Sequence, residues 1–269
     1  MPELPEVETV VRDLRKKLVG RQIVSVKFLR RSIWRIRPPQ AGTLINSRIL
    51  STTRKGKNIL IALSNGLTLV FHLKMTGQLI VSEPESAVIR HTHLIISFEK
   101  CQLRFVDIRR FGYADLLPTK QLHQAPYLNK LGPDPFEISR EQFVALLVSK
   151  NRIIKSLLLD QTIIAGIGNI YSDEALHLAG IHPRRNSSKI SSRKLGVLFD
   201  STIQVLTNSI RSRGTSISDY VDSAGRKGNF QNSLRVYSRE GQPCIKCGRK
   251  IKRLIIGSRS SHFCPGCQR

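Results

Sequence analysis

Two pairs of cysteines near the C-terminus restrict the fold of this chain more than any other feature. Cys244 and Cys247 form one Cys-x2-Cys pair, and Cys264 and Cys267 form a second. Closely spaced pairs allow two tight turns to place four thiolates around one tetrahedral ion. Because four protein ligands leave no open coordination position, the pattern predicts one structural zinc ion per chain.

The chain carries a large positive charge. It has 44 Lys and Arg residues against 19 Asp and Glu residues, which gives a formal net charge of +25. A charge of this size and sign indicates a polyanionic partner such as nucleic acid. A membrane partner is not expected, because no basic amphipathic helix carries the excess and no apolar stretch reaches spanning length. With no signal-peptide core and a metal-type cysteine pattern, we expect a soluble cytoplasmic protein.

The N-terminal half of the chain predicts one helix followed by short strands. Pro5 suits the first helical position, apolar residues recur at helical spacing up to Leu18, and Gly20 suits the end of the helix. Short apolar segments follow, one pair of them joined by the strong hairpin turn Asn65-Gly66. These segments are 22–29, 44–50, 58–63, 67–73, 78–82, 92–99 and 102–108. Their length and spacing are typical of an antiparallel sandwich or barrel.

The C-terminal half predicts helices and then a second set of strands. Segment 118–138 is rich in proline and indicates a hinge, after which Ser139 suits a helix N-cap. The helical patterns that follow occupy 139–149, 153–160, 169–179 and 191–212. We therefore predict an α+β fold in two domains. Its parts are an N-terminal helix and β-sandwich domain (1–117), the hinge (118–138), a helical domain with a mobile loop at 222–233 (139–233) and a zinc finger (234–269).

The first six residues combine groups that suit nucleophilic catalysis. Removal of Met1 would leave the secondary amine of Pro2 at the end of the chain, where it could attack an electrophilic carbon and form an iminium. Glu3 places a carboxyl group beside this amine for proton transfer. The positive end of the following helix dipole favours the neutral, nucleophilic amine. A frayed terminus without function is the commoner explanation of such a start, and these six residues alone leave both explanations open.

Three further motifs fit either DNA binding or ordinary structure. Segment 166–169, Gly-Ile-Gly-Asn, places a glycine turn before a predicted helix, so it suits a phosphate site or a simple turn between helices. Segment 54–57, Arg-Lys-Gly-Lys, is a basic turn between predicted strands, and such turns are commonly only solvated. Met75 and Phe111 lie in turns and suit either core packing or insertion between base pairs.

The start PELPEVET closely resembles that of the bacterial formamidopyrimidine-DNA glycosylases. The resemblance extends over essentially the whole chain, through DIRRFG, GIGNIY, SRSSHFC and the cysteine pairs. It implies a helix–two-turn–helix element around 166–171 and a β-hairpin zinc finger. It also implies a bifunctional DNA glycosylase and AP lyase that excises 8-oxoguanine and formamidopyrimidines from duplex DNA.

The resemblance further implies roles for individual residues. Pro2 is the catalytic nucleophile, whose Schiff base leads to β- and δ-elimination, and Glu3 assists by proton transfer. Lys57 reaches the DNA near the lesion, Arg259 of the finger binds a phosphate near the reacting nucleotide, and Glu6 holds the geometry of the terminus. The DNA-binding residues implied in the same way are Met75, His91, Arg109, Phe111, Lys155 and Asn169.

Two alternatives fit parts of the sequence. Endonuclease VIII, the sister enzyme for oxidised pyrimidines, shares the proline, the helical element and the finger, although PELPEVET and the pair Arg109 and Phe111 favour the purine enzyme. A non-catalytic zinc-containing nucleic-acid-binding protein fits the composition and the cysteines, but it has no use for Pro2 and Glu3. We expect a monomer that binds double-stranded DNA with oxidised bases or abasic sites and associates with the bacterial nucleoid.

Overall fold

The computed structural model describes residues 1–35 and 41–269, which form two compact units. The first unit comprises Met1–Asn129 and Ser212–Asn229, and the second comprises Lys130–Arg211 and Phe230–Arg269. Segment 212–229 thus packs with the N-terminal residues, whereas the sequence placed it with the helices because it follows them along the chain. No helix in the described part of the chain has both the length and the apolar character needed to cross a membrane.

The first unit begins with helix α1, Leu4–Leu18. Glu3 is its N-cap and forms a capping box with Glu6, while Gly20 leaves the helix with a φ of +84°. The helix ends at Leu18 as its local signals predict, and it begins at Leu4, one residue before the predicted start at Pro5. Its buried face packs on the sheet core through apolar side chains at helical spacing, namely Val7, Val10, Val11, Leu14 and Leu18.

Two four-stranded antiparallel sheets follow α1 in the first unit, with a short helix α2 at Pro126–Asn129. The strands are β1 Ser25–Phe28, β2 Ile49–Lys55, β3 Asn58–Leu63, β4 Leu67–His72, β5 Gly77–Ser82, β6 Thr92–Ser97, β7 Gln102–Asp107 and β8 Tyr113–Pro118. One sheet has the order β1-β6-β7-β5 and the other β2-β3-β4-β8. Side chains of both sheets share one core, in which the rings of Phe71 and Phe105 lie 5.6 Å apart. The predicted antiparallel sandwich is confirmed.

Two strands that differ from the prediction contain buried polar side chains. Segment 44–50 was predicted as a strand, but the observed strand β2 lies at Ile49–Lys55 and contains the polar run Ser51, Thr52 and Thr53. Thr52 is buried, and its polar hydroxyl is satisfied there because it donates to the Val11 carbonyl of α1, at 3.1 Å. Strand β8 lacked a prediction because buried Asp115 interrupts its apolar pattern. Apolar pattern alone misses strands whose polar side chains find partners elsewhere in the fold.

The second unit consists of helices and a final hairpin. Its helices are α3 Arg140–Val148, α4 Ile154–Leu159, α5 Asn169–Ala179 and α6 Ser192–Arg211, and its strands are β9 Lys252–Ile256 and β10 Arg259–Phe263. Short 3-10 helices occur at Arg31–Ile33, Ala41–Thr43, Thr119–Gln124, Ser187–Lys189 and Phe230–Ser233 of the two units. The Ser139 hydroxyl accepts from the Gln142 amide, and Gly180 ends α5 in the left-handed conformation. All four predicted helices are therefore present near their predicted bounds.

The sandwich core allows a direct test, because the only tryptophan of the chain, Trp34, is buried in it. Replacing fully buried Ile61 by Ala should lower the free energy of unfolding of this unit by about 2–5 kcal/mol through lost burial and a cavity. Leu50→Ala is a matched control on the neighbouring strand, because Leu50 is 56% exposed and should cost no more than about 0.5 kcal/mol. Urea unfolding followed by Trp34 fluorescence measures both, and equal losses would contradict the assignment of the core.

Candidate functional site

The N-terminus of the chain is buried and fixed in the first unit. Pro2 is buried, and Glu3 and Glu6 are each only 2% exposed. The Glu3 amide donates to Glu6 Oε2 at 2.8 Å, while Glu6 Oε1 accepts from the Thr215 amide, also at 2.8 Å. One carboxylate thus holds the start of α1 with one oxygen and segment 212–229 with the other. This arrangement excludes a frayed terminus at Pro2.

The backbone next to Thr215 comes so close to Glu6 that position 214 favours glycine. Gly214 has a φ of +84°, and a Cβ atom placed there would lie 3.0 Å from Glu6 Oε1. The Tyr220 hydroxyl donates to the Glu6 carbonyl at 3.4 Å, which adds a second link between this segment and α1. Burial, together with the Glu6 carboxylate, raises the pKa of Tyr220 well above its ordinary value, so the hydroxyl remains a donor. The segment therefore closes over the start of the helix.

Ion pairs fix the next part of the same segment. The Arg213 guanidinium contacts Asp13 of α1 and Asp222, each at 2.6 Å. Asp222 Oδ1 also accepts from the amides of Ala224 and Arg226, which closes a tight turn. The first residues of the predicted mobile loop are thus held by a buried carboxylate. The mobility of 222–233 stays a prediction.

Lys57 follows the tight turn between β2 and β3. Gly56 supplies the positive φ of this turn, at +57°, and Lys57 itself is 7% exposed. Its charge lies near His72, which pairs with Asn58 across the sheet. Burial, followed by the charges of Lys74 and Lys57, lowers the pKa of His72 to about 3. His72 is therefore neutral beside the cations Lys57 and Lys74.

Turns of the sandwich carry the residues predicted to enter DNA. Met75 lies between β4 and β5 and is half-buried, and His91, also half-buried, precedes β6. Arg109 and Phe111 lie between β7 and β8, and the Arg109 guanidinium is 4.9 Å from the centre of the Phe111 ring. Phe111 is 55% exposed, which excludes core packing as the reason for an aromatic residue at this position.

The second unit contains a polar cavity of about 520 Å³. Asn169, the first residue of α5, and Arg259, the first residue of β10, both line this cavity, so a glycine turn and a hairpin turn border the same space. The positive end of a helix and an exposed guanidinium are both suited to phosphate binding. The cavity is lined by Asn169, Tyr237, Ser238, Glu240, Arg253, Ser258, Arg259, Ser260 and His262.

Lys155 lies behind this cavity and is fully buried. Its ammonium donates to Asp173 Oδ1 at 2.5 Å and to the Asn169 carbonyl at 3.2 Å. Asp173 in turn accepts from the Ser261 hydroxyl at 2.8 Å and from the His262 amide at 2.9 Å. The ammonium of Lys155 is therefore held inside the protein, where it ties α4 to α5 and, through Asp173, to β10. Its contact with phosphate stays a prediction.

Glu174 is a residue of this region that the sequence reasoning missed. Its carboxylate accepts the backbone amides of Arg235, Val236 and Tyr237, each at 2.9 Å. These contacts hold Tyr237 at the edge of the cavity. Asp173 and Glu174 stand next to each other in a helix that is otherwise mostly apolar and buried, and two adjacent acids in such a helix were the available signal.

The four cysteines predicted as zinc ligands meet at one place. Their sulfur atoms all lie within 4.8 Å of one another, with Cys247 and Cys264 3.4 Å apart and Cys244 and Cys267 3.8 Å apart. A tetrahedron with metal–sulfur distances of about 2.3 Å has sulfur–sulfur edges of about 3.8 Å, so the donor set fits Zn²⁺. The buried His177 imidazole adds Nε2 at 3.6 Å from Cys244 Sγ, close enough to donate to a zinc-bound thiolate.

Three family models match consecutive parts of the chain. The formamidopyrimidine-DNA glycosylase N-terminal domain matches residues 1–114, the H2TH domain of the same enzymes matches 131–221, and a zinc finger found in FPG and IleRS matches 241–269. The formamidopyrimidine-DNA glycosylase of Solibacter usitatus is 46% identical over 100% of both chains. That of Desulforamulus reducens is 44% identical over 100% of this chain and 99% of its own. The chain belongs to the formamidopyrimidine-DNA glycosylase family.

Solved structures of this family agree with the fold. The Lactococcus lactis Fpg in complex with DNA containing an abasic site has a TM-score of 0.92, is 35% identical and covers 99% of both chains. The same protein in complex with DNA containing N7-benzyl-Fapy-dG also has a TM-score of 0.92, with 100% of both chains covered. Family membership confirms the zinc finger and the H2TH element that the sequence predicted.

The zinc centre of this glycosylase family member gives a second test. Elemental analysis should find one zinc ion per chain, and because structural zinc contributes about 10–16 kcal/mol of apparent binding energy in small peptides, chelation should unfold the hairpin. Hydrogen exchange should then rise in β9 and β10, whose backbone bonds the ion stabilises. The amides of β3 and β4 serve as the internal control and should stay protected. A metal-free protein with full protection of the hairpin would contradict this account.

Proposed function

We propose that this protein is a bifunctional DNA glycosylase and AP lyase that excises oxidised purines from duplex DNA. The observation that carries the proposal is the buried, anchored start Pro2-Glu3 in a chain that belongs to this enzyme family over its full length. A DNA-binding protein without catalysis has no physical need for a terminus held in this way. The alternative of a non-catalytic zinc protein loses its support for the same reason.

The substrate class follows from what related proteins bind. The structures similar to this one include complexes with DNA that contains an abasic site, N7-benzyl-Fapy-dG or carbocyclic 8-oxo-G. The first two contain an abasic site and a ring-opened purine, and the third contains an analogue of an oxidised guanine. We assign 8-oxoguanine and formamidopyrimidines to this chain, which acts as a monomer on double-stranded DNA. The net charge of +25 supports such a partner and a location on the bacterial nucleoid in the cytoplasm.

The chemistry begins at the nitrogen of Pro2 once Met1 has been removed. This nitrogen attacks C1′ of the extruded nucleotide, and the base leaves with the electron pair of the glycosidic bond. Glu3 transfers a proton at the sugar and the departing base. The C1′–O4′ bond of the sugar then breaks, and O4′ takes the electron pair and the proton that Glu3 supplies, which leaves an iminium between Pro2 and C1′. This iminium acidifies the C2′ proton, so the 3′ phosphate leaves by β-elimination and the 5′ phosphate by δ-elimination. Glu6 moves no proton in this scheme, because both of its oxygens hold backbone amides.

Phosphate binding is assigned to both units separately. In the first unit Lys57 supplies a cation after the β2–β3 turn, and in the second unit Asn169 and Arg259 face the polar cavity. Lys155 is assigned a positioning role, since its ammonium donates to the Asn169 carbonyl and has no exposed surface. In this way a buried cation holds the helix start that receives the phosphate.

Met75, Arg109 and Phe111 are assigned to the interior of the duplex. An enzyme that acts on one base must extrude it, and an apolar wedge offsets part of the unstacking cost. Phe111 is exposed and lies against the Arg109 guanidinium, so a wedge and a hydrogen-bond donor for the orphaned base occupy one turn. His91 lies on a neighbouring turn and is assigned a further DNA contact.

A covalent trap tests the nucleophile. Borohydride added during turnover should reduce the iminium and leave the protein joined to DNA through residue 2, as peptide mapping would locate. Protein that retains Met1 is the matched control, and it should not be trapped because its Pro2 nitrogen is an amide. Glu3→Gln should retain DNA affinity and lose base excision. An adduct on the side chain of Lys57 or another lysine would overturn the assignment of Pro2.

Strand cleavage and trapping on two damaged duplexes separate the purine enzyme from endonuclease VIII. Duplexes with 8-oxoguanine and with thymine glycol differ only in the damaged base, so the ratio of their single-turnover cleavage rates reports base preference. Faster cleavage at 8-oxoguanine supports the proposal. A preference for thymine glycol would favour the pyrimidine enzyme, and trapping of neither would favour a binding protein.

Salt dependence tests the division between phosphate contacts and the wedge. Loss of one charged phosphate contact should reduce the slope of log affinity against log salt by about 0.9, because fewer counterions are released. Arg259→Ala should therefore flatten the slope on damaged and undamaged duplexes alike. Phe111→Ala removes no charge and should keep the wild-type slope while slowing excision. A steep slope in Arg259→Ala would remove Arg259 from the phosphate contacts.

A further inference from the structure

The turns that carry Met75, Arg109 and His91 meet at one buried residue. These turns, the wedge loops, are segments 73–76, 108–112 and 89–91. We propose that Asp107, at the end of β7, is a positioning residue that joins the wedge loops into one rigid unit for base extrusion. The proposal rests on the proposed function, since that function gives these loops their part in extrusion.

Asp107 contacts all three wedge loops and is 0% exposed. Its Oδ1 accepts from the Thr76 hydroxyl at 2.5 Å, next to Met75, and its Oδ2 accepts from the Gly112 amide at 2.6 Å, next to Phe111. Its own amide donates to the His91 carbonyl at 3.1 Å. One residue therefore contacts a neighbour of Met75, a neighbour of Phe111 and His91 itself.

Thr76 extends this contact to the arginine. Its Oγ1 donates to Asp107 and accepts from the Arg109 amide at 3.0 Å. The loop of Met75 and the loop of Arg109 are thus linked directly as well as through the carboxylate. Because the two oxygens of Asp107 serve different loops, a displacement of either loop costs a charge-assisted hydrogen bond.

The wedge loops hold strained backbone that needs such support. Six non-glycine residues of the described chain have positive φ angles, and three of them lie in these loops: Lys74 at 52°, His91 at 66° and Arg110 at 61°. A side chain with a Cβ atom pays free energy to adopt this conformation, and it persists only where surrounding contacts determine it. Each strained residue is within three positions of a group that hydrogen-bonds Asp107 or Thr76. The hydrogen bonds of Asp107 and Thr76, called here the hub, therefore support the strained backbone of the wedge loops.

Gly112 shows how closely the carboxylate is fitted. A Cβ atom at this position would lie 2.8 Å from Cζ of Phe105 and 3.0 Å from Asp107 Oδ2, so only glycine allows its amide to reach the carboxylate. A carboxylate is the suitable acceptor, since both of its oxygens accept while an amide would turn an N–H₂ group toward one of the two donors. Asp107→Asn therefore keeps the shape and breaks one of the links.

The experiment compares two reactions of the same protein at single turnover. Asp107→Asn and Thr76→Val each lose a charge-assisted link, so excision of 8-oxoguanine from an intact duplex should fall about ten- to hundredfold. Strand cleavage at a preformed abasic site should fall much less, because no base needs to be extruded. Thr76→Ser retains the hydroxyl and should behave as wild type. Equal losses on both substrates in Asp107→Asn, or loss in Thr76→Ser as in Thr76→Val, would overturn the proposal.

A control variant separates positioning from stability. Asp115→Asn changes another buried aspartate of the same unit, on β8, whose carboxylate accepts from the Tyr127 hydroxyl at 2.6 Å. It should keep the wild-type ratio of the two rates even where urea unfolding followed by Trp34 fluorescence shows a loss of stability. A ratio that tracks stability in both variants would show that Asp107 is only structural.

A measurement without DNA distinguishes failure of this proposal from failure of the proposed function. Amide hydrogen exchange of the free protein should be faster at Arg109 and Gly112 in Asp107→Asn and Thr76→Val than in wild type, with β3 unchanged. Faster exchange together with a protein that excises no damaged base would retain the hub and reject the function. Unchanged exchange at both amides would reject the hub whatever the activity.

Discussion

The Glu6 carboxylate is the group that fixes the N-terminus of the chain in place. A chain terminus loses much conformational entropy when it is fixed, and most termini therefore fray. Here one buried carboxylate accepts the Glu3 amide and the Thr215 amide, so the terminus is held by a segment that follows it by about two hundred residues. Gly214 permits this approach, and the ion pairs of Arg213 hold the same segment against α1. The position of Pro2, the proposed nucleophile, thus depends on residues 213–215.

Other buried acids also fix separate segments by accepting their backbone amides. Asp107 holds the turns of the sandwich, and in the second unit Asp173 and Glu174 hold strand β10 and the residues before Tyr237. Each carboxylate accepts backbone amides, which form strong bonds to a charge in a buried site. Among the described residues eight of the 19 acids are buried, namely Glu3, Glu6, Asp107, Asp115, Asp134, Asp173, Glu174 and Asp222. Nearly half of the few acids of a very basic chain are therefore inside, which leaves a more positive surface for a polyanion.

Charge inside the second unit illustrates why residue type alone does not define a role. Lys155 has the charge of a phosphate ligand, but it is fully buried and paired with Asp173. Breaking such a pair leaves an uncompensated charge, so its contribution lies in holding α4, α5 and β10 in one geometry. Arg259 has the same charge and an exposed position on a hairpin that four cysteine sulfurs close. Tertiary position separates the two cations.

The sequence by itself determined the features that depend on neighbours a few residues apart. Local capping and turn rules predict the bounds of α1 and of α3 to α6 and the hairpin turn at Asn65-Gly66. Ligand spacing predicts the zinc site of the cysteine pairs, and the motifs identify the family. Only the tertiary structure decided that 49–55 and 113–118 are strands and that Lys155 is buried. It also decided that segment 212–229 joins the first unit and that Glu6 and Asp107 each link several segments. The reason is physical. A buried polar group is stable only with its partners, and Thr215 or Gly112 becomes a partner of a carboxylate through folding and not through spacing along the chain.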